Sequence, residues 1–535
     1  MSDLIRFKSW GRVAALGLLL GALSACEGLL EVDIPHILTD AALEGPATAE
    51  VQVNSLIAQV ECGSSTFAYI ALGHEDVLAS VAGIGGNNAL YRSTPDTGGG
   101  CDTNSANGNW FDQFMSARAS GSRDPALFPL APQADGDSRG VYDRIQGDPD
   151  WAGIDAAFGE RLSAIAALYI TAALTHFGEF YCEMGFDGSE PFAPDATLAM
   201  AQQWADRALS HMPSDFAMPF GISTSARDMA VALRARIKWA QGDLAGADTD
   251  AATITQGWTA WITRESGEQR RNKIFHAAQS VSFAAMVGKI DWWDSAVRSA
   301  NPATGSKWPL TIPFTGYIFL GIGPDGETVD AAGYPMVWAE EIRDQATANF
   351  DVPIPLGNGA IQDPRVTHDI KSVQGPGRFE VLTKYAAEGD DIPLVGWKEM
   401  VLIQAEYDWS IGALAAAIAH VNTIRAATSA LPIKGAYETT LLASASHLRN
   451  VILEERRRAL FAEGARYWST KIQNTDLLWF PRAEGQTTFQ AYPLGGGVRL
   501  EFVSDEYTNN ELWVAVGGED LKGTVCAADE APIIL

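Results

Sequence analysis

Apolar residues recur at helical spacing in two neighbouring segments near the middle of the chain. Between residues 230 and 240 they occupy positions i, i+3, i+7 and i+10, and the same spacing repeats between residues 244 and 254. Gly242 and Asp243 separate the two segments. Glycine is favoured just after the end of a helix, and aspartate is favoured as an N-cap. The pattern therefore predicts a helical hairpin in which Gly242 follows the first helix and Asp243 caps the second.

The same period appears in other parts of the chain. It runs over residues 162–172, and it lies on both sides of Gly412, over residues 400–407 and 414–421. Several helix pairs with small residues at their crossings are typical of tetratricopeptide-like repeats, in which adjacent pairs bury a shared core. We therefore predict a mainly α-helical (all-α) fold with a tetratricopeptide-like scaffold.

Long segments rich in Gly, Asn, Asp, Pro and Ser lie between the helical segments. They cover residues 83–109, 121–140, 301–333 and 356–377. These compositions predict loops. Long loops in a compact body usually carry function, and on a helical scaffold they are where a ligand surface would be built.

The first 26 residues follow the order of a bacterial lipoprotein signal. Three basic residues precede an apolar run over residues 13–23, which closes at Leu23-Ser24-Ala25-Cys26. The run is too short to span a bilayer. Its end resembles a lipobox, which implies removal of residues 1–25 and acylation of Cys26, so that the mature chain is anchored outside the cytoplasm. An ordinary signal peptide, with Cys26 as a free thiol, is the alternative.

Four cysteines remain besides the one in the lipobox. Cys62, Cys101, Cys182 and Cys526 are an even number, and an exported chain reaches a compartment that permits disulfides. Three connectivities are possible. The short separation of Cys62 and Cys101 favours that pair, which leaves Cys182 with Cys526. The spacings match no zinc motif, so no metal is expected.

Composition and charge describe a large, acidic globular chain. It has 535 residues, of which 47% are hydrophobic and 19% are charged, enough for a substantial buried core. The formal net charge of −28 becomes −30 when the net +2 of residues 1–25 is removed. Such a charge repels nucleic acid and anionic lipid surfaces, so no nucleic-acid partner is expected.

An ordered set of short motifs runs through nearly the whole mature chain. In chain order they are Glu31 to Pro35, Gly159-Glu160-Arg161-Leu162, Phe177-Gly178-Glu179, the hairpin over 232–251, Lys384-Tyr385, Asp390 to Leu394, Glu399 to Glu406, Asn422 to Arg425, Ile452, Glu455-Arg456, Leu460-Phe461, Glu463-Gly464 and Arg466-Tyr467-Trp468. In order and spacing, the set resembles the SusD/RagB family of outer-membrane nutrient-binding lipoproteins.

The resemblance implies a SusD-like domain over residues 26–535, with a C-terminal part from about residue 370 to 535. Proteins of this family bind an oligosaccharide, or sometimes a peptide, without catalysis and without a cofactor. They pass it to a SusC-like, TonB-dependent transporter. The resemblance therefore implies that transporter as the partner, with a lipid anchor and exposure on the surface of the outer membrane.

Aromatic residues beside amides in the predicted loops are the first candidates for ligand contact. A sugar ring has an apolar C–H face that stacks on an aromatic ring, while its hydroxyls bond neighbouring polar groups. The candidates are Asn87, Asn88, Tyr91, Arg92, Asn109, Trp110, Trp292, Trp293 and Tyr317. A buried ring that fills a gap under a loop is the alternative for each. Adjacent residues point apart, so Trp292 and Trp293 are not both expected in a core.

The charged residues of the C-terminal motifs are predicted to be structural. Glu454 and Arg458 are spaced i, i+4, and Glu455 and Arg458 are spaced i, i+3, which suits ion pairs on one helix. The charged and amide residues of the preceding motifs are expected to tie helices together in the same way. They are Glu399, Glu406, Asn422 and Arg425.

Two other functions stay open at the level of sequence. A helical-repeat scaffold would bind only other proteins and would bury its loop aromatics. A lipid-anchored glycoside hydrolase would use paired carboxylates such as Asp291 and Asp294 as acid and base.

Overall fold

The computed structural model describes residues 45–75, 78–80, 110–124, 128, 139–267, 270–277, 284–286, 365–372, 378–430, 432–474, 499–502 and 504–521. The chain divides into two units, residues 1–48 and 49–535. Of the first unit, the structure describes residues 45–48, which contain the 3-10 turn Pro46–Thr48.

The second unit is mainly α-helical, as the hydrophobic spacing predicts. Its helices are α1 (Ala49–His74), α2 (Trp110–Gly121), α3 (Val141–Gly147), α4 (Ala156–Phe180), α5 (Pro194–Ser210), α6 (Ala226–Ala240), α7 (Leu244–Ala251), α8 (Lys273–Phe275), α9 (Trp397–Ser410), α10 (Leu414–Ala427), α11 (Gly435–Leu442), α12 (Ala445–Ala459), α13 (Arg466–Gln473), α14 (Ser504–Asn509) and α15 (Glu511–Ala515). Its strands are β1 (Leu78–Ser80), β2 (Thr259–Ile262), β3 (Ala284–Met286), β4 (His368–Ser372), β5 (Arg378–Leu382) and β6 (Ile392–Gly396).

Two helical hairpins confirm the predicted repeat units. In the first, Gly242 has φ +79° between α6 and α7, and the Asp243 side chain accepts the Gly246 N–H at 2.9 Å as the N-cap of α7. In the second, Gly412 has φ +78° between α9 and α10. A positive φ suits glycine because it has no Cβ. The two hairpins pack against each other through α7 and α9.

The central helix α4 organises the largest part of the core. Asp155 caps it by accepting the Phe158 N–H at 3.0 Å, and nearly every residue from Leu162 to Phe180 is buried. It packs against α1, α2, α5 and α6. Among the described helices, α4 alone is long and apolar enough to cross a membrane, and most of it is buried inside the protein.

Aromatic rings fill the space between α1, α4 and α13. The Phe67 ring lies with its centroid 4.3 Å from His176, 4.8 Å from Phe180 and 5.5 Å from Trp468. These rings are enclosed, and the pKa of His176 lies well below its usual value because burial penalises the charged imidazole and Arg466 adds to the effect. The imidazole is therefore a neutral packing group.

The described strands form three two-stranded antiparallel sheets, β1 with β3, β2 with β6, and β4 with β5. In the β2–β6 pair, Thr259 lies opposite Gly396 and Ile262 lies opposite Ile392. The strand β6 leads directly into α9, and the Trp397 N–H at this junction donates to the Trp258 carbonyl at 3.0 Å. This pair fixes the start of α9 against α6.

Candidate functional site

Of the predicted ligand-binding residues, the structure describes Trp110. It begins α2, is 1% exposed, and its indole N–H donates to the Tyr181 hydroxyl at 3.2 Å. The prediction that Trp110 contributes to a ligand surface is therefore wrong, because its ring packs in the core beside Phe67. The other candidates lie outside the described residues, as do both carboxylates of the hydrolase alternative. They are Asn87, Asn88, Tyr91, Arg92, Asn109, Trp292, Trp293, Tyr317, Asp291 and Asp294.

Two of the four predicted disulfide cysteines are described. Cys62 on α1 and Cys182, just after α4, are both disulfide-bonded. Cys101, Cys526 and the lipobox Cys26 lie outside the described residues. The pairing of Cys62 with Cys101 and of Cys182 with Cys526 stays a prediction.

The motif residues meet in the interior as buried ion pairs between distant helices. Glu179 of α4 accepts hydrogen bonds from Nη1 and Nη2 of Arg466, both at 3.2 Å. Glu399 of α9 accepts from Nε of Arg236 at 2.8 Å and also from its Nη2. Arg466 Nη1 lies 3.6 Å from Glu399, which joins the two pairs into one cluster.

The charges on α12 follow the prediction only in part. Glu454 pairs with Arg458 at 2.7 Å along the helix, as expected. Glu455 was expected to pair with Arg458, but it pairs with Arg425 of α10 at 3.0 Å and with Arg365. Consecutive helix positions differ by about 100° in direction, so Glu455 points to the neighbouring helix instead of along its own.

Glu406 and Arg425 also tie helices together, as predicted, whereas Asn422 bonds the irregular segment that follows its own helix. Glu406 of α9 pairs with Arg456 of α12 and accepts the indole N–H of Trp239 from α6. The side chain of Asn422 bonds the backbone of Ile433 in both directions, at 2.7 and 2.9 Å. These contacts assign a structural role to the residues that would otherwise suggest an acid–base site.

Two buried carboxylates of this region, Glu399 and Glu463, are held in their charged form. Burial raises the pKa of Glu399, but the guanidinium groups of Arg236, Arg466 and Arg456 together outweigh it and lower the pKa to about 2. Burial also raises the pKa of Glu463, yet Lys384 and Lys398 together lower it below the usual value. A carboxylate with a lowered pKa is a poor general acid near neutral pH.

A cavity of about 280 Å³ lies against this cluster, and we call it the β2–β6 cavity. Thr259 and Trp261 of β2 line it together with the residues at the junction of β6 and α9, including Trp397 and Lys398. Arg236 and Glu463 form part of its wall. Gly257, an exposed residue, stands at its rim. The cavity thus combines two indole rings with charged groups of both signs.

The sequence analysis did not single out this cavity. Its walls come from β2, the β6–α9 junction, α6 and the segment between α12 and α13. None of these stretches has a motif of its own for ligand binding. The adjacent Trp397-Lys398-Glu399 run is the signal that was available, but only Glu399 was considered, as the start of a helix motif. Within the described residues, no group of three or more His, Cys, Asp or Glu side chains is placed to hold a metal ion.

Comparison with solved structures identifies the architecture. The structure of NanU from B. fragilis is 11% identical in sequence and matches this chain with a TM-score of 0.50, covering 84% of this chain and 93% of NanU. A SusD-like carbohydrate binding protein from Bacteroides vulgatus is 13% identical, with a TM-score of 0.46, and the match covers 81% of this chain and 84% of that protein. A Bacteroidetes AC2a SusD-like structure is 12% identical, with a TM-score of 0.46, and the match covers 87% of this chain and 96% of that structure. The chain has a SusD-like fold. No protein-family model matches the sequence, and no curated protein does either.

The SusD-like fold explains why the motifs occur in their particular order. Glu179, Glu399 and Arg466 come from three separate motifs, and they meet in the single cluster described above. Arg425 and Glu455 come from two further motifs and meet between α10 and α12. These motif residues are therefore packing contacts between helices of the fold.

Proposed function

We propose that this protein is a member of the SusD/RagB family, an outer-membrane lipoprotein that captures an oligosaccharide and delivers it to a SusC-like, TonB-dependent transporter. The SusD-like fold, together with the ordered motifs that build its core, carries this proposal. The lipobox ending at Cys26 supports attachment to the membrane through acyl chains.

In this proposal the ligand surface lies in the loop-rich segments. Several large tryptophans of the described core are fully enclosed, namely Trp110, Trp204, Trp468 and Trp513. They are not available to stack on a sugar in solution. The remaining candidates are the cluster of Asn87, Asn88, Tyr91, Arg92 and Asn109, and the group of Trp292, Trp293 and Tyr317.

The charge pairing of the core supports binding without catalysis. A retaining or inverting hydrolase needs one carboxyl group that stays protonated near neutral pH and a second that stays ionised. Glu179, Glu399 and Glu463 are each bonded to at least one buried or half-buried cation. These three carboxylates are therefore committed to ion pairs and do not form such a couple with one another.

Calorimetric titration of the purified protein tests the binding role. A panel of plant, algal and bacterial oligosaccharides and mixed peptides is titrated into the wild type and into a Trp292→Ala, Trp293→Ala double variant. Saturable binding of one saccharide, lost in the double variant, is expected. Phe220→Ala is the matched control, because this ring is 59% exposed on the helical body. If only peptides bind, the proposed ligand is a peptide and not an oligosaccharide. If no member of the panel binds, nutrient capture is contradicted.

Membrane fractionation tests the anchor and the partner. We expect the wild type to appear in the outer-membrane fraction and to copurify with a TonB-dependent barrel. We expect the Cys26→Ser variant to lack acylation and to appear in the soluble fraction. Equal membrane association of the two proteins would contradict a lipid anchor on Cys26.

A further inference from the structure

We propose that the β2–β6 cavity is a second binding site, and that it takes a single neutral, hydroxyl-rich ring such as a monosaccharide or a cyclic polyol. Residues of the described helical body build this site, and the inference stands whether or not the loop residues of the proposed function bind an oligosaccharide. Four properties of the cavity carry this inference: its unused polar groups, its charge pairing, its indole rings and its size.

The cavity wall presents donors and acceptors that the protein uses incompletely. Oε1 of Glu463 accepts from Lys384 and Lys398, while its Oε2 accepts no hydrogen bond from any described residue. Nε and Nη2 of Arg236 donate to Glu399 and to the Leu394 carbonyl, and its Nη1 has no such partner. Lys398 uses two of its three N–H groups, on Glu463 and on the Ala459 carbonyl at 2.8 Å.

A cavity wall that offers both hydrogen-bond donors and acceptors suits a ligand that carries hydroxyl groups. A hydroxyl donates one hydrogen bond and accepts two, so a ring that carries several of them can bond Glu463 Oε2 and the Arg236 and Lys398 donors together. Thr259 also lines the cavity, and its hydroxyl adds a group that can both donate and accept. A hydrogen bond to a charged partner is stronger than one between neutral groups.

The charge pairing favours a neutral ligand over a charged one. Glu463 is held between Lys384 and Lys398, and Glu399 lies between Arg236 and Arg466. An anion would compete with these carboxylates for their cations, and a cation would compete for the carboxylates. A neutral ring can bond the remaining donors and acceptors while the ion pairs stay intact.

The apolar part of the cavity suits the C–H face of a sugar ring. Trp261 is half-buried and Trp397 is 8% exposed, and both line the cavity. Its volume of about 280 Å³ lies at the lower edge of the range for ligand pockets, roughly 300–1,000 Å³. The volume therefore suits one ring better than an oligosaccharide.

Ligand titration with cavity variants tests this site. Glucose, galactose, mannose, N-acetylglucosamine and myo-inositol are added to the full protein, with glucuronate and glucosamine as charged comparators, and binding is followed by calorimetry and by saturation-transfer NMR. At least one neutral ring is expected to bind with a Kd on the order of 1 mM or below. Thr259→Val, which keeps the shape and removes the hydroxyl, and Trp261→Leu are each expected to weaken it at least about tenfold.

Two controls separate this site from the loops and from loss of folding. Trp409→Leu removes another half-buried tryptophan, outside the cavity, and is expected to bind as the wild type does. The Trp292→Ala, Trp293→Ala variant is also expected to bind the small neutral ring as the wild type does, even if it no longer binds an oligosaccharide. Thermal unfolding checks each variant, and Thr259→Val carries the test if Trp261→Leu does not fold. Failure of every neutral ring to bind at about 50 mM, binding of charged rings alone, or binding that only the loop variant abolishes would overturn the proposal.

Discussion

Glu179 accepts hydrogen bonds from both terminal nitrogens of Arg466, which lies 287 residues further along the chain. Both side chains are buried. Removing one charge of a buried pair leaves the other uncompensated, and this costs about 3–5 kcal/mol. We therefore expect Glu179→Gln to lower the free energy of unfolding by about that amount, measured by urea denaturation followed by circular dichroism.

An exposed pair provides the control for this prediction. Asp206 is 51% exposed and bonds Arg234 at 2.8 Å. Exposed ion pairs contribute about 0–1 kcal/mol, so Asp206→Asn is expected to change stability by no more than that. Equal losses in the two variants would contradict a special role for the buried pair.

Glu75 predicts a pH dependence of stability near neutral pH. Its carboxylate accepts the N–H groups of Tyr467 and Trp468 at the start of α13, at 2.9 and 3.2 Å. Burial raises the pKa of Glu75 to about 7, although these hydrogen bonds and the cations Lys471 and Arg466 oppose the rise. The folded state therefore holds a proton more tightly than the unfolded state, whose pKa is near 4.5.

The sign of the effect follows from this difference. The stabilisation linked to the Glu75 proton is complete below pH 4.5 and is lost as the pH rises through 7. We expect the free energy of unfolding to fall between pH 5 and pH 8, by up to roughly 3 kcal/mol from this group. Glu75→Gln cannot ionise and should remove that part of the slope. Parallel pH profiles of the wild type and the variant would refute the assignment.

Gly178 predicts a steric effect where α4 meets α5. A Cβ at this position would lie 2.6 Å from Leu198 Cγ and 3.1 Å from its backbone nitrogen. Overpacking of this kind costs about 1–3 kcal/mol, and the higher helix propensity of alanine returns up to about 1 kcal/mol. We expect a net loss of about 1–2 kcal/mol for Gly178→Ala in thermal or urea unfolding. Gly147→Ala, where a Cβ would meet no atom within 4 Å, should be neutral or slightly stabilising.

The disulfides of Cys62 and Cys182 predict a loss of stability on reduction. Removing a native disulfide typically costs about 2–5 kcal/mol, so dithiothreitol should lower the unfolding temperature of the wild type. Peptide mapping by mass spectrometry without reduction is expected to recover Cys62 linked to Cys101 and Cys182 linked to Cys526. A peptide that links Cys62 to Cys182 would show that the sequence-based pairing is wrong.

Local chemistry explains which parts of the fold were predictable. The turn at Gly242 and the N-cap at Asp243 depend on neighbouring residues, and both were predicted correctly from the sequence. The partner of Glu455 was sought within its own helix, but it lies on α10, and no local spacing indicates which helix will be adjacent. The β2–β6 cavity was missed for the same reason, since four separate segments build it.

The periodicity of the residues from Trp110 onward predicts a buried helix face and not a ligand surface. The glycine- and asparagine-rich segment before Trp110 suggested a loop. Yet Trp110, Phe111, Phe114 and Ala117 follow the spacing of a buried helix face, and all four are buried on α2. The composition of the preceding residues was given more weight than the period of those that follow.

The contact between Glu75 and α13 also limits when this part of the protein can fold. The carboxylate at the end of α1 bonds backbone groups 392 and 393 residues later in the chain. At a synthesis rate of about 5–20 residues per second, the start of α13 is made roughly 20 to 80 seconds after the end of α1. This contact can therefore close only after nearly the entire polypeptide has been made, long after the helices that precede it in the chain.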